Sequence, residues 1–243
     1  ARLRVFGHVV PDPRLFDGLT IDLASQDHGG QVVTCSDGFY TSAAMLNRPD
    51  KARNMGDGWE TRRRRDDGND HAIIRLALPG TLRLVEIDTA YFKYNASAEI
   101  ALYGAIGDSR SQAGSDAWVP LLKRRPLQPD TRHVFPLPAG LSPISFVRLD
   151  AFPDGGISRV RLWGAVDPAA RCGAGSRWFT ALPAGQATHL LLEQGVPAEL
   201  AVRLTAARPL AEQTVSALVG EAASDLMLLA ALKAMLDGPT NAV

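Results

Sequence analysis

The sequence lacks any excess of charge. Of its 243 residues, 26 are Lys or Arg and 26 are Asp or Glu, so the formal net charge is zero. Proteins that bind nucleic acids usually carry a basic excess, because neutralising phosphates supplies much of their affinity. The balance therefore argues against a nucleic-acid partner and favours a small molecule or another protein.

Cysteine is almost absent, since only Cys35 and Cys172 occur and they lie far apart. A disulfide-stabilised scaffold would use more cysteines. The sequence also holds no Cys-x-x-Cys and no helical His-Glu-x-x-His motif. We therefore expect two free thiols in a reducing compartment such as the cytoplasm.

Long apolar runs are missing as well. No stretch reaches the roughly 18 residues that a membrane-spanning helix needs, so the sequence predicts no membrane segment. No signal peptide is visible at the N-terminus, and Arg2–Phe6 already has the character of a strand. We therefore expect the chain to begin inside a structural element, as a cut from a longer sequence.

What is present indicates a β domain. Hydrophobic residues make up 46% of the chain, and up to about residue 166 they form short runs separated by turn signals. Examples are Ile73–Leu76 and Leu84–Ile87 on either side of Pro79-Gly80, and Val160–Trp163 after the turn Pro153–Gly156. Many short strands with few helical stretches predict a sandwich or barrel.

Beyond about residue 185 the chain becomes rich in Ala and Leu with helical spacing. Pro197 suits the first turn of a helix that runs to Ala207 and is stopped by Pro209. Ser224-Asp225 is predicted to cap a last helix through Leu236, which Gly238-Pro239 ends. We expect a small helical appendage used for packing or oligomerisation.

An internal repeat bears on the domain organisation. Arg2–Pro11 aligns with Arg159–Pro168, with both arginines, the glycine, one valine and the proline identical. Chance similarity between two edge strands is the alternative. We favour a duplication, in which residues 1–13 end an earlier repeat, residues 14–168 form a second repeat and residues 169–243 form the helical tail.

The densest polar stretch is Asn54–Arg65. Its glycines allow a tight backbone path around Asp57, and Trp59 offers a flat anchor with one N–H donor. Carboxylates such as Glu60 accept hydrogen bonds from amides, and the arginines match a carboxylate in bidentate fashion. A solvated loop of self-compensating charges is the alternative.

A divalent metal is compatible with this stretch and the residues after it. Oxygen and nitrogen ligands are offered by Asp57, Glu60, Asp70 and His71, but their spacing identifies no particular ion.

The chain resembles the allantoicase family over about residues 1–166. The resemblance rests on several motifs in order: Asn54–Arg65, Ala72–Leu76, Pro79–Thr81, Val85–Ala90 and Phe152–Arg159. It implies a mainly β fold, a jelly-roll-like (galactose-binding-like) β-sandwich that occurs twice in the family.

The resemblance also implies hydrolysis of allantoate to ureidoglycolate and urea in purine breakdown. Arg62 and Arg63 are expected to hold the substrate carboxylate, and Glu60 is preferred over Asp57 for handling water or a ureido nitrogen. The predicted catalytic residues are Glu60, Asp57 and Asp70, and the predicted substrate-binding residues are Trp59, Arg62, Arg63, Asp88, Lys93 and Asn95.

This chain departs from the family pattern at five positions. Asn69 and Tyr91 stand where the family commonly has histidine, and Tyr94 stands where it has glycine. Gly38 replaces an acidic residue, and His71 follows Asp70 in place of a tryptophan. If the lost histidines act as bases or metal ligands, the site is impaired. If they only brace loops, activity survives.

Three functions therefore stay open: an allantoate hydrolase, a non-catalytic β-sandwich that binds a ureide or serves as a structural half, and a carbohydrate-binding jelly roll. The last predicts exposed aromatic residues, but aromatics make up 7% of the chain and fall mostly at strand-like positions. We expect a homo-oligomer, because a jelly roll must cover its edge strands. Cys172–Trp178 and Ala207–Leu210 also faintly resemble the start of a decarboxylase of the same pathway.

Overall fold

The computed structural model describes residue 7, residues 9–107 and 118–209, and residues 230, 232, 234–236 and 238. These residues fall into two compact units. One contains Gly7, Val9 and Leu19–Asp167, and the other contains Val10–Gly18 together with the described residues from Pro168 onward. The predicted strand of an earlier repeat falls on residues 1–6 and 8, which lie outside the described residues.

The first unit is built almost entirely from antiparallel strands. In chain order they are β1 Ile21–Asp22, β2 Gln31–Cys35, β3 Trp59–Glu60, β4 Asp70–Asp88, β5 Glu99–Ala105, β6 Val119–Pro126, β7 Arg132–Pro136, β8 Ile144–Phe152, β9 Gly156–Ile157 and β10 Arg159–Val166. Short 3-10 turns occupy Gln26–His28, Ala43–Met45 and Met55–Asp57. The prediction of a mainly β, jelly-roll-like sandwich is confirmed.

The long strand β4 holds the sandwich together, because its two halves have different neighbours. Residues 70–75 pair with β2 and β8, whereas residues 80–88 pair with β10 and β7. Burial alternates at every second residue along most of the strand, as expected when one face packs on a core. The fully buried side chains of this core include Leu23, Leu46, Ile74, Leu82, Ile87, Ile100, Leu102 and Leu149.

The expected turn at Pro79-Gly80 is wrong, since β4 continues through it. The pairing of β4 with β8 is interrupted between Arg75 and Gly80, so the missing N–H of Pro79 falls where the strand changes partners. Gly80 is needed there because an added Cβ would lie 2.5 Å from the Ala165 carbonyl oxygen. The dipeptide marks an irregularity within one strand.

In the described part of the second unit, the helices up to residue 209 are α1 Pro168–Ala181, α2 Ala184–Glu193 and α3 Ala198–Ala206. The helix predicted from Pro197 is confirmed as α3. The predicted cap at Ser224-Asp225 lies outside the described residues, whereas residues 234–236 are helical and Gly238 has a left-handed φ of +86°. No helix in the described ranges is long and apolar enough to cross a membrane.

Helix α1 was missed by the sequence prediction. Gly173 and Gly175 both lie inside it, and glycine disfavours a helix interior. Gly175 is explained by packing, because an added Cβ would lie 2.3 Å from the Leu236 carbonyl oxygen. The buried cluster of this unit includes Trp178, Phe179, Leu191, Leu204, Leu232 and Met235.

Residues 10–18 belong to this helical unit and not to the β unit. Asp17 accepts hydrogen bonds from Arg171 at 2.7 Å and 3.0 Å, and Arg14 stacks 4.6 Å from the Trp178 ring centre. Residues 10–18 are thus set apart from the β unit, which contains Leu19–Asp167 and, among the earlier described residues, Gly7 and Val9. The assignment of the parts to an earlier repeat, a second repeat and a tail stays a prediction.

Candidate functional site

The candidate site lies where strand β3 meets the turn before β9. Trp59 pairs with Ile157 and Glu60 with Gly156. The Thr61 N–H donates to the Gly155 carbonyl at 3.1 Å, which extends the pairing. Glycine is required at position 156, because an added Cβ would lie 1.9 Å from the Asn95 carbonyl oxygen. The residues around Asn95 are thereby brought against Glu60.

Side chains alternate along Trp59–Arg62. Trp59 and Thr61 are buried, whereas Glu60 is partly exposed and Arg62 is exposed. In an extended chain, residues two apart lie on one side at a Cα separation of roughly 6.6 Å. The Glu60 carboxylate and the Arg62 guanidinium therefore project from the same open side of one segment.

Glu60 is held by two neighbouring segments. Its backbone N–H donates to Thr41 Oγ1 at 2.7 Å. Its Oε1 accepts a hydrogen bond of 2.7 Å from Asn95 Nδ2, an amide that also lies 3.4 Å from Met55 Sδ. The structure thus brings two of the predicted site residues, Glu60 and Asn95, into direct contact. Glu60 Oε2 has no hydrogen-bond partner in the described part of the chain.

Arg62 contacts two residues that the sequence analysis did not assign to the site. Its Nε lies 3.3 Å from Asp37 Oδ2, and its side chain is still 64% exposed. Its Cζ lies 4.2 Å from the centre of the Phe39 ring. Arg63, the next residue, is exposed and forms no ion pair within the described ranges. The structure therefore gathers Arg62 alone of the two predicted carboxylate ligands.

Trp59 does not offer a surface to a ligand in this structure. Its side chain is fully buried, and its Nε1–H donates to the Asp37 carbonyl oxygen at 2.8 Å. The expected role as a flat anchor for the substrate is therefore corrected to a packing role. Its single donor fixes the loop that carries Asp37.

Asp57 is also engaged by the protein itself. Its Oδ2 accepts hydrogen bonds from the Arg53 N–H at 3.0 Å and from Arg53 Nε at 3.2 Å. These bonds, the backbone one first, hold the pKa of the Asp57 carboxyl below its usual value. A carboxylate kept ionised and occupied in this way is a poor proton acceptor, so Glu60 is the better candidate base.

Asp70 is only 1% exposed. Its Oδ1 accepts hydrogen bonds of 2.9 Å from Ser36 Oγ and from Arg64 Nη1. Its Oδ2 is buried without a hydrogen-bond partner among the described residues. Burial and these two bonds give Asp70, a predicted catalytic residue, a structural role in holding the loop. Neighbouring His71 is half-buried, and burial, followed by the nearby Arg148, lowers the pKa of its imidazole.

The two other predicted ligands lie apart from these contacts. Asp88 ends β4, and its Oδ1 accepts a hydrogen bond from the Ala90 N–H at 2.8 Å, which caps the turn. Lys93 is exposed and forms no ion pair in the part of the chain that is described. Neither contacts Glu60 or Arg62.

The positions that depart from the family pattern are mostly accessible. Tyr91 is 45% exposed with a left-handed φ of +70°, and Tyr94 is 99% exposed. At Gly38 an added Cβ would lie 3.8 Å from Cys35 Sγ, an ordinary contact. Together with Phe39 and Tyr40, these tyrosines show that several aromatic residues lie in exposed loops. The expectation that they fall mostly on strands is wrong for these four.

Metal ligands are not gathered in the described ranges. No group of three or more His, Cys, Asp or Glu side chains is placed there to hold a metal ion. The four ligands offered by the sequence, Asp57, Glu60, Asp70 and His71, therefore do not form one cluster. Cys35 and Cys172 are not joined in a disulfide.

Comparison with known proteins identifies the family. The model of the allantoicase repeat matches residues 21–167. The chain belongs to the allantoicase family. A probable allantoicase from Nocardia farcinica is 53% identical over 164 residues, which cover 68% of this chain and 48% of that protein.

Other members of the family give the same result. A probable allantoicase from Ralstonia nicotianae is 44% identical over 177 residues, covering 69% of this chain and 52% of that one. The crystal structure of allantoicase from Saccharomyces cerevisiae superimposes with a TM-score of 0.56 at 32% identity, covering 65% of this chain and 45% of that one. The chain spans about half the length of the curated relatives it matches.

The allantoicase match ends at residue 167. The faint resemblance of Cys172–Trp178 to a decarboxylase is not borne out. That segment forms the middle of helix α1, and Gly175 within it packs against the backbone of Leu236.

Proposed function

We propose that the protein to which this chain belongs hydrolyses allantoate to ureidoglycolate and urea. The observation that carries the proposal is that Glu60 and Arg62 are accessible while Trp59 and Thr61 between and before them are buried, with Asn95 bonded to Glu60. The family match supports the substrate class. The placement supports these three residues over the other candidates.

The reaction sets two requirements. Allantoate has a central carbon that carries a carboxylate and two ureido groups. Hydrolysis breaks the bond from this carbon to one ureido nitrogen and joins a water oxygen to the carbon. The nitrogen gains a proton and leaves as urea. The site must therefore hold an anion and move a proton.

The three residues suit these requirements. A guanidinium binds a carboxylate through two parallel N–H donors, so Arg62 is assigned the substrate carboxylate. Glu60 keeps Oε2 for the water or the ureido N–H, because Oε1 is occupied by Asn95 Nδ2. A positioned carboxylate of this kind works as a general acid or base. The side-chain oxygen Oδ1 of Asn95 is an acceptor for a ureido N–H.

The cellular setting is part of the proposal. Two cysteines that form no disulfide suit a reducing compartment, and we place the protein in the cytoplasm. The sheet order ends at β6, and an edge strand of this kind needs cover. Self-association into a homo-oligomer would provide it.

A non-catalytic ureide-binding protein is the second candidate. It is favoured by Asn69 and Tyr91, which replace histidines of the family pattern. This candidate predicts that allantoate binds without turnover, whereas the hydrolase predicts both.

The test is urea release from allantoate by the full-length parent and by this chain. Replacing Glu60→Gln in the parent should lower kcat by about a hundredfold or more, the usual contribution of a general acid or base. Glu193→Gln, the same change in the helical unit, is the matched control. Unchanged turnover of the Glu60 variant would remove its role. Binding of allantoate with no urea release by the parent would select the non-catalytic candidate.

A further inference from the structure

The Arg62 guanidinium is tethered at one nitrogen. Its Nε lies 3.3 Å from Asp37 Oδ2, and Nη1 and Nη2 have no partner in the part of the chain that the structure describes. These two nitrogens form one of the donor pairs with which arginine binds a carboxylate. The tether thus leaves a complete binding edge open.

Asp37 is itself fixed by two further bonds. Its Oδ1 accepts a hydrogen bond of 2.8 Å from the Phe39 N–H, which sets the turn that places the Phe39 ring. Its carbonyl oxygen accepts the 2.8 Å bond from the buried Trp59 indole. One carboxylate therefore shapes the loop with Oδ1 and holds Arg62 with Oδ2, and the loop is anchored in the core.

Phe39 holds the same guanidinium from a second direction. The ring centre lies 4.2 Å from Arg62 Cζ, and Tyr40 packs edge-on against the ring at 5.0 Å. A guanidinium over an aromatic face is attracted electrostatically and keeps its plane. The ion pair fixes one end of the group, and the ring restricts its rotation.

We infer that Asp37 and Phe39 are positioning residues that hold Arg62 with Nη1 and Nη2 open to a carboxylate-bearing ligand. The inference rests on the proposed function for the identity of that ligand. The restraint on Arg62 itself is independent of any activity, so the two are tested by different measurements.

The first measurement follows the Arg62 Nε–H resonance by NMR in the ligand-free chain. Asp37→Asn keeps an oxygen for the Phe39 N–H but removes the charge that faces Arg62, and Phe39→Leu removes the ring. Both should move the resonance toward the free-arginine position and speed its exchange with water. Asp67→Asn, at an exposed acid in a nearby loop, is the charge control and should leave the resonance in place.

The second measurement is allantoate hydrolysis by the full-length parent. Both variants should raise KM by roughly two- to fivefold, the range of exposed ion pairs and cation–π contacts, with kcat changed less than KM. Phe39→Trp should have a KM close to that of the wild-type protein, because it keeps an aromatic face.

The outcomes separate the two claims. An Arg62 resonance that stays in place in both variants overturns the inference, and so does a loss of kcat at constant KM. If the resonance of the chain moves as expected but the parent neither binds nor hydrolyses allantoate, the positioning is supported and the proposed function is contradicted.

Discussion

Arginines in the two units serve different ends. In the helical unit, Arg171 is 5% exposed, pairs with Asp17 through two nitrogens and donates to the Leu236 carbonyl. In the β unit, Arg62 is 64% exposed and has one ion-pair partner. The donors of Arg171 are bonded to other residues of its own unit. Nη1 and Nη2 of Arg62 have no bonded partner among the described residues.

The β unit repeats this contrast within itself. Arg159 is 2% exposed and donates to the carbonyl oxygens of Asp50, Asp57 and Ser158. It organises the segment that leads to Trp59, while Arg62 at the end of that segment stays open. An arginine whose N–H donors are all bonded within the protein has a structural role. A restrained guanidinium with unbonded donors is available to bind a ligand.

The largest effect is expected for Arg171→Met, which tests whether the bonds of this buried arginine are structural. Losing a buried, doubly bonded partner leaves Asp17 and a backbone carbonyl without their donors, which should cost about 3 kcal/mol. Urea unfolding followed by far-UV circular dichroism measures the loss in the free energy of unfolding. A loss below about 1 kcal/mol would show that these bonds are not structural.

The opposite result is expected for Arg62→Ala. Stability should change by no more than about 0.5 kcal/mol, as at other exposed sites. Allantoate affinity should fall by roughly ten- to a hundredfold, since a charge-assisted bidentate pair is lost. Calorimetric titration and urea unfolding give the two numbers. Arg65→Ala, at another exposed arginine, is the control and should change neither.

Restoring family residues at three departing positions tests whether those positions contribute to turnover near Glu60 and Arg62. Changing Gly38→Asp, Asn69→His and Tyr91→His together should raise urea release by roughly tenfold, if the lost groups contribute acid–base chemistry. Gly38 has room for a side chain, so the fold should tolerate the change. Equal rates for the parent and the restored protein would mean that these positions only brace loops.

The smallest expected effect concerns pH. Burial lowers the pKa of His71 in the folded chain below its usual 6.5. As the pH falls, His71 is therefore protonated in the unfolded chain at a higher pH than in the folded chain. The stability it contributes is present above pH 6.5 and is lost as the pH falls through the lowered value. His71→Asn should flatten the fall in urea midpoint over that acidic range. A wild-type midpoint that rises on acidification would contradict the sign.

The fold was predictable where local patterns decide it. Alternation along Val160–Trp163 and the proline before α3 both indicated the observed elements. Predictions failed where packing overrides local preference. Pro79-Gly80 continues a strand because β10 passes close by, and Gly175 stays in a helix because another backbone approaches it.

The site was predictable in part, for a related reason. The motif Asn54–Arg65 contained Glu60 and Arg62, and the alternation of Trp59, Glu60, Thr61 and Arg62 was a signal that only two of the four face outward. Asp37 and Phe39 were missed as site residues. They meet Arg62 through contacts distant in sequence, and an Asp-Gly pair on its own reads as a turn.

The central claim is that the side chains of Glu60, Arg62 and Asn95 form one binding face for a ureide carboxylate. Titration of the isotope-labelled chain with allantoate, followed by NMR, tests it most directly. We expect saturable shifts at the Arg62 guanidinium, at the Asn95 amide and in Ser36–Tyr40, all abolished by Arg62→Ala. Shifts that bypass these groups, or that persist in the variant, would contradict the account.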